Sequence, residues 1–78
     1  MLNMNTIEEA MLISEEGKIY RSVINQTEKL LIEKVLQQTG GNQIVAARRL
    51  GLNRNTLRSK IKKLQIDPLR FREYKEDY

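Results

Sequence analysis

Apolar positions between Gly41 and Ile66 fall into two short helical patterns on either side of Gly51. The first pattern consists of Ala46, Ala47 and Leu50, which recur at three- and four-residue spacing. The second consists of Leu57, Ile61 and Leu64, which recur at i, i+4 and i+7. Spacing of this kind places the apolar side chains on one face of an α-helix. The pattern therefore predicts two short amphipathic helices in succession.

Polar residues and a glycine indicate where these two helices begin and how they are joined. Asn42 and Asn53 each stand just before one pattern, where an asparagine side chain can accept hydrogen bonds from the first N–H groups of a helix. Gly51 tolerates the positive φ of a tight turn, and Leu52 can anchor that turn in the core. These features predict a helix-turn-helix over residues 41–66.

A longer helix is predicted before this pair. From Lys18 to Thr39 the chain has no Gly or Pro, and Gly40 and Gly41 then end the helical pattern. The apolar stripe consists of Tyr20, Val23, Ile24, Thr27, Leu30, Leu31, Val35 and Gln38, with Ile19, Ile32 and Leu36 beside it. A helix of this length, about 33 Å, extends beyond the two short helices, and its apolar arc is wider than a lone surface helix needs.

Two arrangements can cover the rest of this apolar arc. In one, the N-terminal helix packs on it within a monomer. In the other, which we favour, the long helix packs against its copy in a twofold homodimer, and the first helix completes a small four-helix bundle. The residues that we expect at this dimer interface are Tyr20, Val23, Ile24, Thr27, Leu30 and Leu31.

The N-terminal segment predicts a short helix. Asn5 or Thr6 can cap it, and Glu8 and Glu9 would then lie in its first turn, where the helix dipole favours acidic side chains. A helix of about two turns is too short to be stable without packing on another element.

The C-terminal segment predicts another short helix, which begins near Asp67 and Pro68. Its aromatic side chains are Phe71, Tyr74 and Tyr78. Aromatic rings can stack on nucleic-acid bases, but the neighbouring acidic side chains would repel phosphates. We therefore expect these rings to pack on the body of the protein or to lie in solvent.

The predicted fold is all-α, with four to five helices in which a dimerising helical pair is followed by a C-terminal helix-turn-helix. Its expected parts are a dimerisation arm at 1–16, a long dimerisation helix at 17–40, the helix-turn-helix at 41–66 and a tail at 67–78.

Composition excludes several classes of function. The 78 residues suffice for one small domain, and the chain has no Cys and no His, so a disulfide framework, a thiolate metal site and imidazole catalysis are excluded. We find no catalytic constellation of carboxylates or lysines, and no Gly-x-x-x-x-Gly-Lys follows the paired glycines. We expect no enzyme activity, no cofactor, no metal and no small-molecule ligand.

The sequence shows neither a membrane-spanning segment nor a signal peptide. The longest apolar runs are a few residues long, whereas a membrane span needs roughly 20, and no signal-peptide pattern is present. We therefore expect no membrane association and a cytoplasmic location.

Charge is distributed very unevenly along the chain. The net charge is +4 overall, but residues 41–66 contain seven basic and no acidic residues, whereas residues 1–16 contain four acidic and no basic residues. Charge concentrated in one segment creates a local field that steers a polyanion. The predicted helix-turn-helix is therefore the part of the chain that we expect to meet one.

The second short helix can carry both charge and sequence recognition. We expect Arg54, Asn55, Arg58 and Lys62 on the face of this helix away from the apolar residues. Asn53, Arg54 and Asn55 stand at the N-terminal end, which reaches base edges when such a helix enters the major groove. Arginine can pair with guanine and asparagine with adenine, so double-stranded DNA is the expected partner. The competing interpretation is a solvated basic face that binds an acidic protein.

The segment from Gly17 to Ile66 resembles the Fis-type DNA-binding domain of NtrC-class transcriptional regulators, which is related to the nucleoid protein Fis. The residues that carry the resemblance are Ile19-Tyr20, Glu28, Leu31-Ile32, Thr39-Gly40-Gly41-Asn42-Gln43, Ala46-Ala47, the run from Leu50 to Arg58, and Lys60-Ile61.

This resemblance implies an intertwined homodimer that binds a roughly palindromic site and favours bent DNA. By position, the residues that look like base or groove contacts are Asn53, Arg54, Asn55 and Arg58. Those that look like phosphate contacts are Asn42, Gln43, Thr56, Lys60, Lys62 and Lys63. Ser59 stands where Fis has a basic residue, and Ile44 and Val45 replace polar or basic positions. These departures favour the regulator class over a broadly binding nucleoid protein.

Regulators of this class are sigma-54-dependent activators, often of two-component systems, with receiver and ATPase domains that 78 residues cannot contain. The resemblance thus implies a terminal part of an enhancer-binding activator, whose own task is to tether the activator to an upstream site. A stand-alone DNA-bending protein is the alternative.

Overall fold

The computed structural model describes residues 3–74. Within that range the chain forms four α-helices and a C-terminal 3₁₀ helix and contains no strand, which confirms the predicted all-α fold. The α-helices are α1 (Met4–Leu12), α2 (Ile19–Thr39), α3 (Gln43–Leu50) and α4 (Arg54–Lys63), and the 3₁₀ helix η1 spans Pro68–Tyr74.

Helix α1 begins earlier than the sequence indicated. Asn3, rather than Asn5 or Thr6, is its N-cap, because the Asn3 side chain accepts hydrogen bonds from both the backbone N–H and the hydroxyl of Thr6. Glu8 and Glu9 consequently lie beyond the first turn, so the predicted dipole interaction was wrong. The helix packs on α2 and buries Ala10.

The turn between α3 and α4 has the conformation that its glycine predicts. Gly51 has a φ of 74° and donates to the carbonyl of Arg48, while the N–H of Leu52 reaches the carbonyl of Ala47 at 2.9 Å. This pair of bonds is a Schellman motif, which satisfies the last carbonyl groups of α3. Leu52 is partly buried against the core, so it anchors the turn as expected.

Helices α2 and α4 end in the same motif. Gly40 and Gly41 donate to the carbonyls of Gln37 and Leu36 at the end of α2. At the end of α4, Gln65 and Ile66 donate to the carbonyls of Lys62 and Ile61. Gln65 has a φ of 56°, and it is the one non-glycine residue with positive φ in the described part of the chain.

The core lies where α2, α3, α4 and η1 meet. Its buried residues are Ile32, Leu36, Ala46, Ala47, Leu57, Ile61, Ile66 and Phe71. Alanine at two positions of α3 allows this eight-residue helix to lie close to both neighbours. Burying side chains such as Leu57 typically contributes about 1.5–3 kcal/mol each.

The core face of α2 differs from the stripe that the sequence pattern emphasised. Ile32 and Leu36 are its buried residues, although both were placed beside the stripe. Tyr20, Leu30 and Leu31 of the stripe are more than half exposed. Helix α1 therefore does not cover that stripe within one chain, although Val23 and Thr27 are partly buried.

The C-terminal segment folds back onto the body. The Asp67 carboxylate accepts a hydrogen bond from the N–H of Leu69, and η1 then follows as a 3₁₀ rather than an α-helix. Phe71 is buried in the core, as expected for a ring that packs rather than stacks on bases. The Tyr74 side chain and Tyr78 lie outside the described residues.

Candidate nucleic-acid interface

The N-terminus of α3 is formed by an asparagine cap directly after the paired glycines. The Asn42 side-chain oxygen accepts hydrogen bonds from the N–H groups of Ile44 and Val45, at 3.1 and 3.2 Å. The cap prediction is therefore confirmed. The Asn42 side chain is exposed, and its amide nitrogen is not used in the cap.

The N-terminus of α4 is built in the same way. Asn53 accepts a hydrogen bond from the N–H of Asn55 at 2.8 Å, which confirms it as the second predicted cap. Leu57 and Ile61 are buried, so the helix is held by one face. Its polar side chains are thereby directed outwards.

An open groove lies between the start of α3 and one side of α4. It is lined by Gly41, Asn42, Gln43, Ile44, Arg54 and Arg58, and we refer to it as the contact groove. None of these residues is acidic, and both arginines are exposed. The arrangement places two guanidinium groups beside the N-terminal end of a helix, where the backbone dipole also favours negative charge.

Most of the predicted DNA contacts lie on the surface. The residues of α4 and its cap that are exposed are Asn53, Arg54, Asn55, Thr56, Arg58, Ser59, Lys62 and Lys63. Gln43 is half-buried at the start of α3. Arg54 and Arg58 share the contact groove with Asn42 and Gln43, whereas Lys63 and Thr56 lie on the other flank of α4, at about 100° per residue.

Lys60 occupies a different environment from its neighbours in α4. Its ammonium group forms a salt bridge with Glu28 of α2, at 2.5 Å, and the two side chains are only 32% and 28% exposed. The family resemblance implied a phosphate contact for Lys60. The structure instead pairs its charge with a carboxylate 32 residues earlier in the chain, a contact that no local pattern reports.

Ile44, like Gly41, lines the contact groove although it was not among the predicted DNA contacts. Its side chain is 56% exposed between cationic neighbours. Ala46 and Ala47 form the buried face of α3, and the Ile44 side chain lies outside that face. The signal that could have found it is its position two residues after the cap.

Two basic residues of α3 lie outside the contact groove. Arg48 and Arg49 are in the last turn of α3, where positive charge interacts favourably with the helix dipole. The Arg49 guanidinium approaches the Gln38 side-chain oxygen of α2 at 3.5 Å. Both residues belong to the seven basic residues of 41–66.

Neither a metal site nor a membrane-spanning helix is found among the described residues. No group of acidic residues between 3 and 74 could hold a metal ion. No helix in the same range is long and apolar enough to cross a membrane.

Comparison with known proteins adds an independent line of evidence. Residues 23–64, which include most of α2 and both helices of the helix-turn-helix, match the family model described as "Bacterial regulatory protein, Fis family". The chain is similar to a protein of Azospirillum brasilense named "DNA-binding transcriptional regulator NtrC", with 52% identity over 52 residues. That match covers 67% of this chain and 11% of the relative. No solved structure gives a significant match.

Proposed function

Because this chain belongs to the Fis family of bacterial regulatory proteins, we propose that it binds double-stranded DNA as a homodimer, with the contact groove facing the duplex. DNA binding follows from the family and from the helix-turn-helix, and the similar protein is named as a DNA-binding transcriptional regulator. The homodimer, the pseudo-palindromic site and the role of each residue are parts of the proposal.

The observation that carries the proposal is the contact groove. It combines the capped start of α3 with Arg54 and Arg58 of α4 and contains no acidic side chain. A phosphate placed there would meet two permanently charged guanidinium groups and the positive end of a helix. The N-terminal end of α4 lies beside the same groove, so it could reach base edges while α3 contacts the backbone.

We assign the contacts by residue type and position. Arg54 and Arg58 have the bidentate geometry that guanine requires, and Asn53 and Asn55 have the amides that adenine requires. Asn53 also caps α4 through its oxygen, which leaves its amide nitrogen as the group that can donate to DNA. The proposed phosphate contacts are Asn42, Gln43, Thr56, Ser59, Lys62 and Lys63.

The homodimer is supported by the exposed face of α2. Tyr20, Ile24 and Leu31 lie within about 40° of one another around the helix, and all three are exposed in the single chain. Met11, Leu12 and Ile13 at the end of α1 are exposed as well. Apolar side chains concentrated in this way commonly mark a protein interface. We propose that a second copy of the chain covers them, with Val23, Thr27 and Leu30 at the edge.

The wider role rests on the regulator relative. The matched residues span 11% of that relative's length, so they correspond to a small part of that protein. We propose that it is the DNA-binding domain of a cytoplasmic, sigma-54-dependent enhancer-binding activator, with the arm, dimerisation helix, helix-turn-helix and tail divided as the sequence predicts.

Two substitutions test the contact assignments. Arg54→Ala should relax the base preference and cost roughly 1–3 kcal/mol of binding, because a bidentate base contact is lost. Lys62→Ala should weaken binding to all duplexes alike and make the salt dependence shallower by about one unit for each protomer. Site selection from a random duplex pool, followed by salt titration, measures both effects. Unchanged affinity of both variants for every duplex would contradict the assignment.

The dimer is tested separately by sedimentation. Leu31→Glu should produce a monomer at concentrations where the unaltered domain is a dimer, because it places charge in the proposed interface. Leu69→Glu is the matched control, since Leu69 is at least as exposed as Leu31 but lies on η1. A monomeric unaltered domain would contradict the homodimer while leaving DNA binding intact.

A further inference from the structure

Lys60 and Lys62 are close in sequence but lie on different sides of α4. Two residues along a helix correspond to a rotation of about 160° by the shorter route. Lys62 lies on the side of Arg58 and the contact groove, while Lys60 lies beside the buried Leu57 and faces α2. A duplex that contacts Arg58 and Lys62 would therefore not have Lys60 in front of it.

The charge of Lys60 is also already compensated. Its ammonium group forms a salt bridge with Glu28, and both side chains are about two thirds buried. A lysine contributes to counterion release only if a phosphate neutralises it. Moving Lys60 to a phosphate would leave the Glu28 carboxylate without this partner and close to the polyanion.

The salt bridge joins the two helices whose relative direction matters for a dimer. The core holds α4 mainly through Leu57 and Ile61, and apolar contacts have little directional preference. A charged pair at the edge of that core adds a fixed point, which opposes rotation of α4 about its own axis. Any change in the direction of α4 relative to α2 would appear twice in a symmetric dimer.

We propose that Lys60 is a positioning residue: with Glu28 it fixes the orientation of α4 on α2, and so sets the half-site spacing that the dimer prefers. This inference rests on the proposed DNA-binding function and deepens it. Two recognition helices read half-sites about 34 Å apart, and the separation of their N-terminal ends selects the spacing. Lys60 then influences specificity without touching DNA.

The experiment compares Lys60→Met, Glu28→Gln and the charge-swapped double variant E28K/K60E with Lys62→Met as the matched control. The probes are duplexes with one selected half-site repeated at centre-to-centre separations that differ by single base pairs. For each protein, affinity is measured against separation and against salt, and thermal unfolding shows whether the variant is folded.

We expect Lys60→Met and Glu28→Gln each to reduce the preference for the best separation about threefold or more, a coupling typical of residues in contact. Their salt dependence should equal that of the unaltered domain, whereas Lys62→Met should make it shallower by about one unit for each protomer. The charge-swapped variant restores an ion pair and should recover the separation preference. It therefore tests the proposal even where a single variant does not fold.

Two results would overturn the proposal. One is a salt dependence of Lys60→Met as shallow as that of Lys62→Met, since Lys60 would then be a phosphate contact. The other is a separation preference that neither single variant changes. Failure of the proposed function itself looks different, because the unaltered domain would then bind all duplexes, with any separation, equally or not at all.

Discussion

A Cβ atom on Gly41 would lie 2.6 Å from the carbonyl oxygen of Pro68. The backbone at the start of η1 therefore passes directly over the turn that leads into the helix-turn-helix. Gly41 also has a φ of 83°, a conformation that side chains disfavour. This contact connects the C-terminal segment to the residue immediately before the Asn42 cap.

Gly41→Ala should destabilise the domain by roughly 2 kcal/mol or more, because backbone strain is added to a clash with the Pro68 backbone. Gly17→Ala is the control, since Gly17 has a similar φ of 84° but open space around its Cβ position. It should lose only about 1 kcal/mol. Urea unfolding of both variants measures the difference. Equal losses of stability would mean that the Pro68 backbone moves away from an added Cβ at little cost.

Asn42→Asp should separate the two roles assigned to Asn42. Aspartate caps a helix as well as asparagine does, so the free energy of unfolding should stay within about 0.5 kcal/mol of the original. Affinity for DNA should fall roughly tenfold, because a carboxylate would face phosphate. Asn42→Ala should instead lose about 1 kcal/mol of stability. Chemical unfolding and a DNA titration measure these effects, and unchanged affinity in Asn42→Asp would show that no phosphate lies near this residue.

Gln65→Gly should stabilise the domain by roughly 0.5–1 kcal/mol. Gln65 has a φ of 56° in the turn after α4, and glycine adopts this conformation without the strain of a side chain. Gln26→Gly is the matched control, because Gln26 is an exposed residue inside α2 and should lose about 1 kcal/mol. The midpoints of thermal unfolding compare the two. A lower midpoint for Gln65→Gly would show that the Gln65 side chain causes no strain at this φ.

Phe71→Ala should destabilise the domain by roughly 3–5 kcal/mol, because it leaves a cavity in the core that η1 closes. Phe71 lies beyond residues 23–64, so this result would show that the matched family segment is not the whole folding unit. Leu69→Ala is the control: Leu69 is 62% exposed and should change stability by less than about 0.5 kcal/mol. Urea unfolding measures both, and a small loss in Phe71→Ala would mean that η1 detaches independently.

The helix-turn-helix was predictable because its determinants are local. Asn42, Asn53 and Gly51 act on backbone groups within a few residues of themselves, so their roles can be recognised from order and spacing alone. The N-cap of α1 was not predictable in this way, because Asn3, Asn5 and Thr6 all offer suitable side chains. The hydrogen bonds from Thr6 identify Asn3 as the cap only in the folded structure.

The less predictable features depend on contacts between distant parts of the chain. A broad apolar arc on α2 does not reveal which residues meet the core, and Ile32 and Leu36 are selected by α3 and η1. The salt bridge of Lys60 joins residues 32 positions apart, so the family resemblance, which works by position in the sequence, grouped this lysine with the phosphate contacts. Identity and spacing of residues thus predicted the two caps and the turn of the helix-turn-helix, but not the ion pair that holds Lys60.

The exposed face of α2 has a thermodynamic consequence. Leu31 lies on that face and Ile32, the next residue, is fully inside the core, so the same helical turn serves both surfaces. In a homodimer, unfolding of this turn would also separate the protomers, and dissociation and denaturation would form a single transition. Its midpoint would then rise with protein concentration, as mass action requires when the folded state is the associated one.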